Sequence, residues 1–437
     1  MPAAGADEVA QQFSIGARLT AGWWQLFDSK PLNAVLALAL SGSPTLESAR
    51  YNLSAARESL TGARGVYYPQ VDLGAGTERG GQNIGSTTTT GNLFSIGTSA
   101  NYSVDLFGGD RRRVDQQAAL MDFQRSQLGA AYLALTGNAV LQVIDIASAT
   151  EQLKAIEEIL AVDQRNLELV RVSAAAGKSA QLEVLTAESQ LASDRTLLPT
   201  LHQQLEVAQY ALAVLTGNTP AEWTPPAFDF DSLALPRTLP ISVPSELVRA
   251  RPDISSSEAQ LHATNAAVGI ATSNLYPILS LTGSWSYAAS DTNSFLNPAN
   301  AIWKAAAGLT APLFHGRALQ AQKRAAVAIY NSQLAMYRQT LLQAFGQVAI
   351  LLRALEHDAE SMAAEQKALE TARASLELTQ QSYQAGQSSF LQLLEAQRLY
   401  QQARLGYVRA KSQRYIDTAQ LFVAMGGGWI EGVKSAQ

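Results

Sequence analysis

The chain has 437 residues, 47% of them hydrophobic, with 32 basic and 37 acidic side chains for a net charge of −5. This length exceeds one ordinary hydrophobic core, so two domains or an internal repeat are expected. The charge balance gives no footprint for nucleic acid, and the absence of cysteine excludes disulfide, thiolate and Cys–zinc chemistry.

No apolar run approaches the roughly 18 residues of a membrane-spanning helix, the best being the short Ala34–Leu40. The opening MPAAGADEVAQQF has neither the basic start nor the apolar stretch of a secretory signal. A soluble protein and a membrane protein of the β-barrel kind both remain open.

After an N-terminal segment (1–43), a modest helix is expected over Pro44–Gly65. Val71, Leu73 and Ala75 begin a first strand. In a second, Phe94, Ile96, Ala100, Tyr102, Val104 and Leu106 alternate with Ser95, Gly97, Ser99, Asn101, Ser103 and Asp105. Between them GGQNIGSTTTTGN (80–92) reads as a long polar loop. From Arg111 to Ala176 no proline interrupts a helical pattern, which gives about 100 Å of helix. A glycine break at Gly177 follows, then a second helix that stops near Gly217 and Pro220.

Seven of the fifteen prolines lie between Pro220 and Pro252, marking a linker at 220–244. The same order of elements then recurs. A helix is expected over Ser245–Ser273, and a third strand is marked by Leu279, Leu281, Trp285 and Tyr287. The polar loop AASDTNSFLNPAN (288–300) leads to a fourth strand through Trp303, Ala305, Ala307, Leu309 and Leu313. A long helix over Arg317–Ala385, a break at Gly386, a last helix and a tail (427–437) complete the chain.

The recurrence is a tandem duplication. A shift of 209 residues lays Leu167, Glu168 and Leu169 on Leu376, Glu377 and Leu378. It also lays Ser173, Ala176, Gly177 and Ser179 on Ser382, Ala385, Gly386 and Ser388. The repeats are therefore 44–219 and 245–426. Within the second, Val327, Leu334, Leu341, Val348, Leu355, Met362, Leu369, Leu376 and Tyr383 stand seven apart, the signature of supercoiled packing between helices. Four strands fall short of the eight in the smallest outer-membrane barrels, so a membrane-spanning sheet needs several chains, two giving eight strands and three giving twelve.

The linker leads into VPSELVRARPDISSSEAQLHATNAAVGIATSNLYPILSLTGSW (243–285), with Arg251, Pro252, Asp253 and Ile254 at its core. This segment resembles the signature of the TolC-like outer-membrane efflux proteins, in the drug-efflux branch, and WWQLFDSKPLNAVLALALSGSPTLESARYNLSAAR (23–57) is similar to that branch too. The resemblance implies an α+β membrane protein in which four strands per chain contribute to a twelve-stranded barrel of a homotrimer. A long α-helical coiled-coil tunnel crosses the periplasm from there. It further implies a periplasmic adaptor, an inner-membrane pump, outer-membrane lipid and small-molecule efflux substrates as partners, with no cofactor, no metal and no catalysis. Many members of the branch also begin the mature chain with a lipid-bearing cysteine, a lipoprotein anchor that this cysteine-free sequence does not supply.

By the same resemblance, Gly177 and Gly386 mark hairpin tips where the tunnel constricts and the adaptor docks. The acidic gate positions fall on Gln392 and Glu395 in the second hairpin and on Glu183 in the first. Tyr383 matches a tyrosine that helps hold the tip closed, and its expected basic partner is Ser388 here. The alternative is that Glu183 and Glu395 are ordinary solvated helix residues. Three further groups are weaker candidates. EHD (356–358) places its side chains on diverging helix faces, Arg111–Arg113 could face phosphate or simply pair with Asp110 and Asp115, and His202, His262, His315 and His357 are scattered. The functional expectation is a passive exit duct for small toxic molecules, with a protein-secretion duct of the type I kind or a soluble helical scaffold as alternatives.

Overall fold

The computed structural model describes residues 11–16, 19–84, 87–241, 244–294 and 296–429. The ends of the expected N-terminal segment and C-terminal tail lie outside the described residues, as do positions 85–86, 242–243 and 295 within the expected loops and linker. The elements in order are β1 (Gln12–Ile15), α1 (Lys30–Gly42), α2 (Pro44–Arg64), β2 (Gln70–Ile84), β3 (Thr87–Val104), α3 (Gly109–Ala175), α4 (Gln181–Arg195) and α5 (Leu197–Leu215). Then come β4 (Thr238–Ile241), α6 (Pro244–Ala250), α7 (Pro252–Ser273), β5 (Ile278–Ala289), β6 (Ala301–Thr310), α8 (Ala318–Gln384) and α9 (Phe390–Ala424).

Two compact units result, and neither coincides with a sequence repeat. One holds Met1–Arg50, Ser126–Ser255 and Thr340–Gln437; the other holds Tyr51–Arg125 and Ser256–Gln339. Each therefore draws on both halves of the duplication.

The second unit carries an antiparallel sheet in the order β2-β3-β5-β6. Two corrections to the sequence reading arise here. The polar stretch 80–92 is mostly strand, since β2 runs to Ile84 and β3 starts at Thr87, with Gln82 opposite Thr89 and Gly80 opposite Gly91. A threonine-rich run suits a pleated backbone, so polarity alone misled. In turn, Leu106 and Leu313 lie beyond the ends of β3 and β6.

In the first unit, Trp23, Phe27, Phe228 and Phe422 are fully buried. Trp23 meets Phe422 with ring centroids 5.7 Å apart, and Phe27 stacks on Tyr415 at 6.2 Å. The proline-rich segment 220–244 packs into this unit: Phe228, Phe230, Leu233 and Leu239 are buried, and β4 pairs in parallel with β1. Two tyrosines of this core satisfy their hydroxyls on backbone oxygens, Tyr415 Oη donating to Leu233 O at 2.9 Å and Tyr132 Oη to Ala21 O at 3.0 Å.

The long helices α3 and α8 have 67 residues each and begin and end at the 209-residue offset. Their returning arms differ. In the second hairpin α9 runs unbroken for 35 residues, while the matching stretch of the first is split at Thr196 into α4 and α5. The cause is Pro199, which has no N–H to give residue 195 and whose ring would strike that carbonyl inside a continuous helix. Likewise the helix expected over Ser245–Ser273 is two helices meeting at Arg251, with Pro252 opening α7 at a position that needs no N–H donor. An 18-residue window of α3 is apolar enough by composition to cross a bilayer, although no single apolar run is that long; most of it is buried inside the protein as helical core.

Candidate functional site

Register decides what the sheet presents. Residues paired directly across strands share a face, and successive residues alternate. Val71 pairs with Ala100, Ala100 with Gly283, and Gly283 with Ala305. Leu73, Thr98, Trp285 and Trp303 form the next row on that face, followed by Ala75, Ile96, Tyr287 and Ala301. The opposite face runs through Asp72, Ser99, Ser284 and Lys304, and through Gly74, Gly97, Ser286 and Ile302. One face is thus apolar and aromatic, the other mostly small and polar. The apolar face is uncovered in the single chain: Leu73 is 73% exposed, Trp303 70% and Trp285 52%. A soluble sheet would cover such a surface, and among the described residues β2 and β6 both end the sheet with one edge unpaired.

In the other unit the two hairpin tips are built alike. Gly177 and Gly386 have φ of +73° and +72°, where a Cβ would be strained. At the first tip Lys178 N donates to Ser173 O at 2.9 Å and Gly177 N to Ala174 O at 2.9 Å. At the second, Gln387 N donates to Ser382 O at 2.8 Å and Gly386 N to Tyr383 O at 3.0 Å. Both are the paired closing bonds of a left-handed helix C-cap, repeated by the duplication. Behind the tips Leu167, Val170, Val184, Leu191, Phe390 and Leu394 form one buried cluster that ties α3, α4 and α9 together.

The expected gate residues divide between this cluster and the helix surface. Tyr383 packs on the cluster, 5.9 Å from the Phe390 ring; burial raises the pKa of its hydroxyl, and the Glu183 carboxylate adds to the rise. Tyr383 and Glu183 are therefore brought together across the two hairpins. Ser388 Oγ donates to Thr379 O at 3.3 Å. Gln392 is engaged in capping α9: its Oε1 accepts from Ser389 N at 2.8 Å, while its own N donates to Ser389 Oγ at 3.3 Å. Glu395 is held by Arg398, whose Nε donates to Oε2 at 2.9 Å, and that hydrogen bond keeps the carboxyl below its ordinary range. Arg398 escaped the sequence reading; the signal was its position one turn after Glu395 in EAQR.

Arg251 is a structural pin. Its Nη1 donates to Ala424 O at 2.7 Å, at the end of α9, and its Nη2 to Gln347 Oε1 on α8 at 3.0 Å. Asp253 grips the same guanidinium at 2.8 and 3.1 Å and accepts from Ile254 N at 2.9 Å. The weaker candidates resolve into local pairs. Arg113 bonds Asp110, Arg112 lies 3.6 Å from Asp115, Glu356 takes Arg353, and His357 faces Glu360. Among the described residues no group of three or more His, Cys, Asp or Glu gathers as a metal site.

The uncovered apolar sheet and the duplicated hairpins meet their counterpart in known proteins. The model of the outer membrane efflux protein family matches residues 35–218 and 243–427. The chain belongs to this family. It is 33% identical over 423 residues to the pyoverdine export outer membrane protein OpmQ of Pseudomonas aeruginosa, covering 93% of this chain and 87% of that one. It is 26% identical to the cation efflux system protein CusC of Escherichia coli K12, with 96% and 93% covered. The structure of the outer-membrane channel OprN superposes with a TM-score of 0.91 at 27% identity, over 98% of this chain and 99% of that one. The protein is thus an outer-membrane efflux channel and not an enzyme, and its functional site is a pathway, not a reaction centre.

Proposed function

We propose that the protein is the passive exit duct of a tripartite efflux system, working as a homotrimer whose three sheets close a twelve-stranded barrel. The observation that carries this is the sheet: one apolar, aromatic face left bare, one small and polar face, and two open edges in a piece too small to close alone. Helices α3 and α8 with their returning arms form the periplasmic conduit, and the tips at Gly177 and Gly386 meet a periplasmic adaptor coupled to an inner-membrane pump. Glu183, Tyr383, Ser388, Gln392 and Glu395 belong to the narrow end of that conduit.

Drugs and other small toxic molecules are the proposed cargo. The named cargoes of two relatives, pyoverdine and cations, are small, which favours this reading over protein secretion. The test is a deletion strain complemented with the wild-type chain or an empty vector, exposed to a panel of amphiphilic drugs and metal salts. Restored resistance together with a trimer in cross-linked outer membranes supports the duct. An unchanged panel with a secreted protein missing from the medium would establish the secretion alternative, and recovery of the native protein in the detergent-free aqueous fraction would sink both.

A further inference from the structure

Two pairs of aspartates meet inside the hairpins. Asp163 on α3 and Asp194 on α4 are each 5% exposed and face one another, carboxyl to carboxyl. Both oxygens of Asp194 already accept from amides: Gln401 Nε2 donates to Oδ1 at 3.0 Å and Gln190 Nε2 to Oδ2 at 2.8 Å. Asp163 Oδ2 is buried with no such donor. Two carboxylates in contact without a cation between them do not both ionise, so one holds a proton. With both Asp194 oxygens taken by amide donors and Asp163 Oδ2 bare, the geometry places the shared proton on Asp163.

The surroundings leave that proton in place. A small cavity beside Asp163 is walled by Glu158 and Val162 of α3, Leu376 of α8, and Gln397, Tyr400 and Arg404 of α9. Arg404, which lines this cavity, is committed to Glu158, and Arg195 of α4 donates to Gln164 at 3.3 Å. Burial, then the neighbouring Asp194, push Asp163 from 3.8 up to about 7.

Asp358 on α8 and Asp417 on α9 repeat the arrangement. Gln413 Nε2 donates to Asp417 Oδ1 at 3.2 Å, while Asp358 Oδ2 is buried without a donor. Arg414 and His357 face Asp358 and favour its charge, yet burial and Asp417 outweigh them and raise it. The duplication shows that packing does not demand either pair. At the 209-residue offset Asp163 and Asp194 correspond to Ala372 and Ala403, and Asp358 and Asp417 correspond to Ala149 and Ala208. Each hairpin has two aspartates where the other has two alanines.

We propose that these two aspartate pairs are proton-operated clasps, which hold the helical hairpins shut in mildly acidic surroundings and loosen them when both carboxyls ionise. The sign follows from linkage. A carboxyl with a raised pKa binds more protons in the folded state than in the unfolded one. Its stabilisation is therefore complete below the ordinary carboxylate range and is lost as pH climbs through the folded value. The periplasmic arms would stiffen as the surrounding medium acidifies, whatever cargo passes.

The test is hydrogen exchange of the full-length protein in detergent at pH 5.5 and pH 8, corrected for intrinsic exchange rates. Peptides from 181–195 should lose protection about tenfold at the higher pH, the factor carried by one pKa unit of linkage. Asp163→Asn, whose amide supplies the missing donor permanently, should keep these peptides protected at both pH values. The double variant Asp163→Ala with Asp194→Ala copies the alanine pair of the other hairpin and should likewise abolish the pH dependence. Asp358→Asn should do the same for peptides from 408–424. A wild-type chain with equal protection at both pH values, or an unchanged pH dependence in the alanine pair, overturns the proposal.

Discussion

Arg398 holds Glu395 from one turn further along α9, its Nε 2.9 Å from Oε2. Both side chains are exposed, so the pair adds little to stability and its consequence is electrostatic. In the proposed trimer a ring of Glu395 carboxylates would be accompanied by a ring of Arg398 guanidiniums. Glu395→Ala should therefore leave the arginines uncompensated and shift permeability toward anions, and Arg398→Ala should shift it toward cations. Reversal potentials in a salt gradient across planar bilayers measure both. Shifts of the same sign in the two variants, or a large rise in opening with no change in selectivity, would contradict this account.

The uncovered face of the sheet makes a second prediction. Trp303 stands directly opposite Trp285 on the apolar face, while Thr282 lies on the polar one, opposite Ala306. Trp303→Arg should impair insertion by about 2–4 kcal/mol if it sits at mid-bilayer, falling off toward the interfaces. Thr282→Arg should insert normally and alter conductance. Heat-modifiable migration of outer-membrane fractions reports insertion, and the reverse ranking would put the lipid on the wrong side of the sheet.

Arg251 supplies a third. Removing its guanidinium leaves the Ala424 carbonyl without its donor in a half-buried setting, a loss of about 1–3 kcal/mol. Arg251→Lys reaches fewer partners because an ammonium lacks the planar fork. Thermal unfolding should place the lysine variant between wild type and Arg251→Ala; a lysine variant as stable as wild type would show that charge alone suffices.

At the tips, Gly177→Ala and Gly386→Ala each force a Cβ into the left-handed region, at a cost of about 1–2 kcal/mol. The damage should be local: faster proteolytic nicking at the altered tip, with unchanged heat-modifiable migration of the barrel. Equal nicking in wild type and variant would argue against a strained cap.

The duplication made much of this legible in the sequence. Because Gly177 and Gly386 recur at a fixed offset, both tips and both 67-residue helices could be placed to within two residues. The alternation around Phe94–Val104 likewise marked a sheet face correctly. Other features depend on neighbours distant in sequence. Asp163 meets Asp194 only after the chain has turned back at Gly177, so no spacing rule exposes the pair. The buried role of Phe228 and Leu239 was hidden because a proline-rich stretch reads as linker until β4 is seen beside β1. By contrast the capping box of Ser389 and Gln392 is local, and its Ser-x-x-Gln spacing stood in the sequence.

Pro199 has no counterpart in the second repeat, where Val408 stands at its position in the unbroken α9. The two returning arms consequently have different mechanics: one carries a joint at Thr196, and the other behaves as a single rod. Around a three-fold assembly, jointed and rigid arms would alternate, three of each. Any widening of the conduit mouth would then be shared unequally, with bending concentrated at three joints while three stiff staves keep the wall upright.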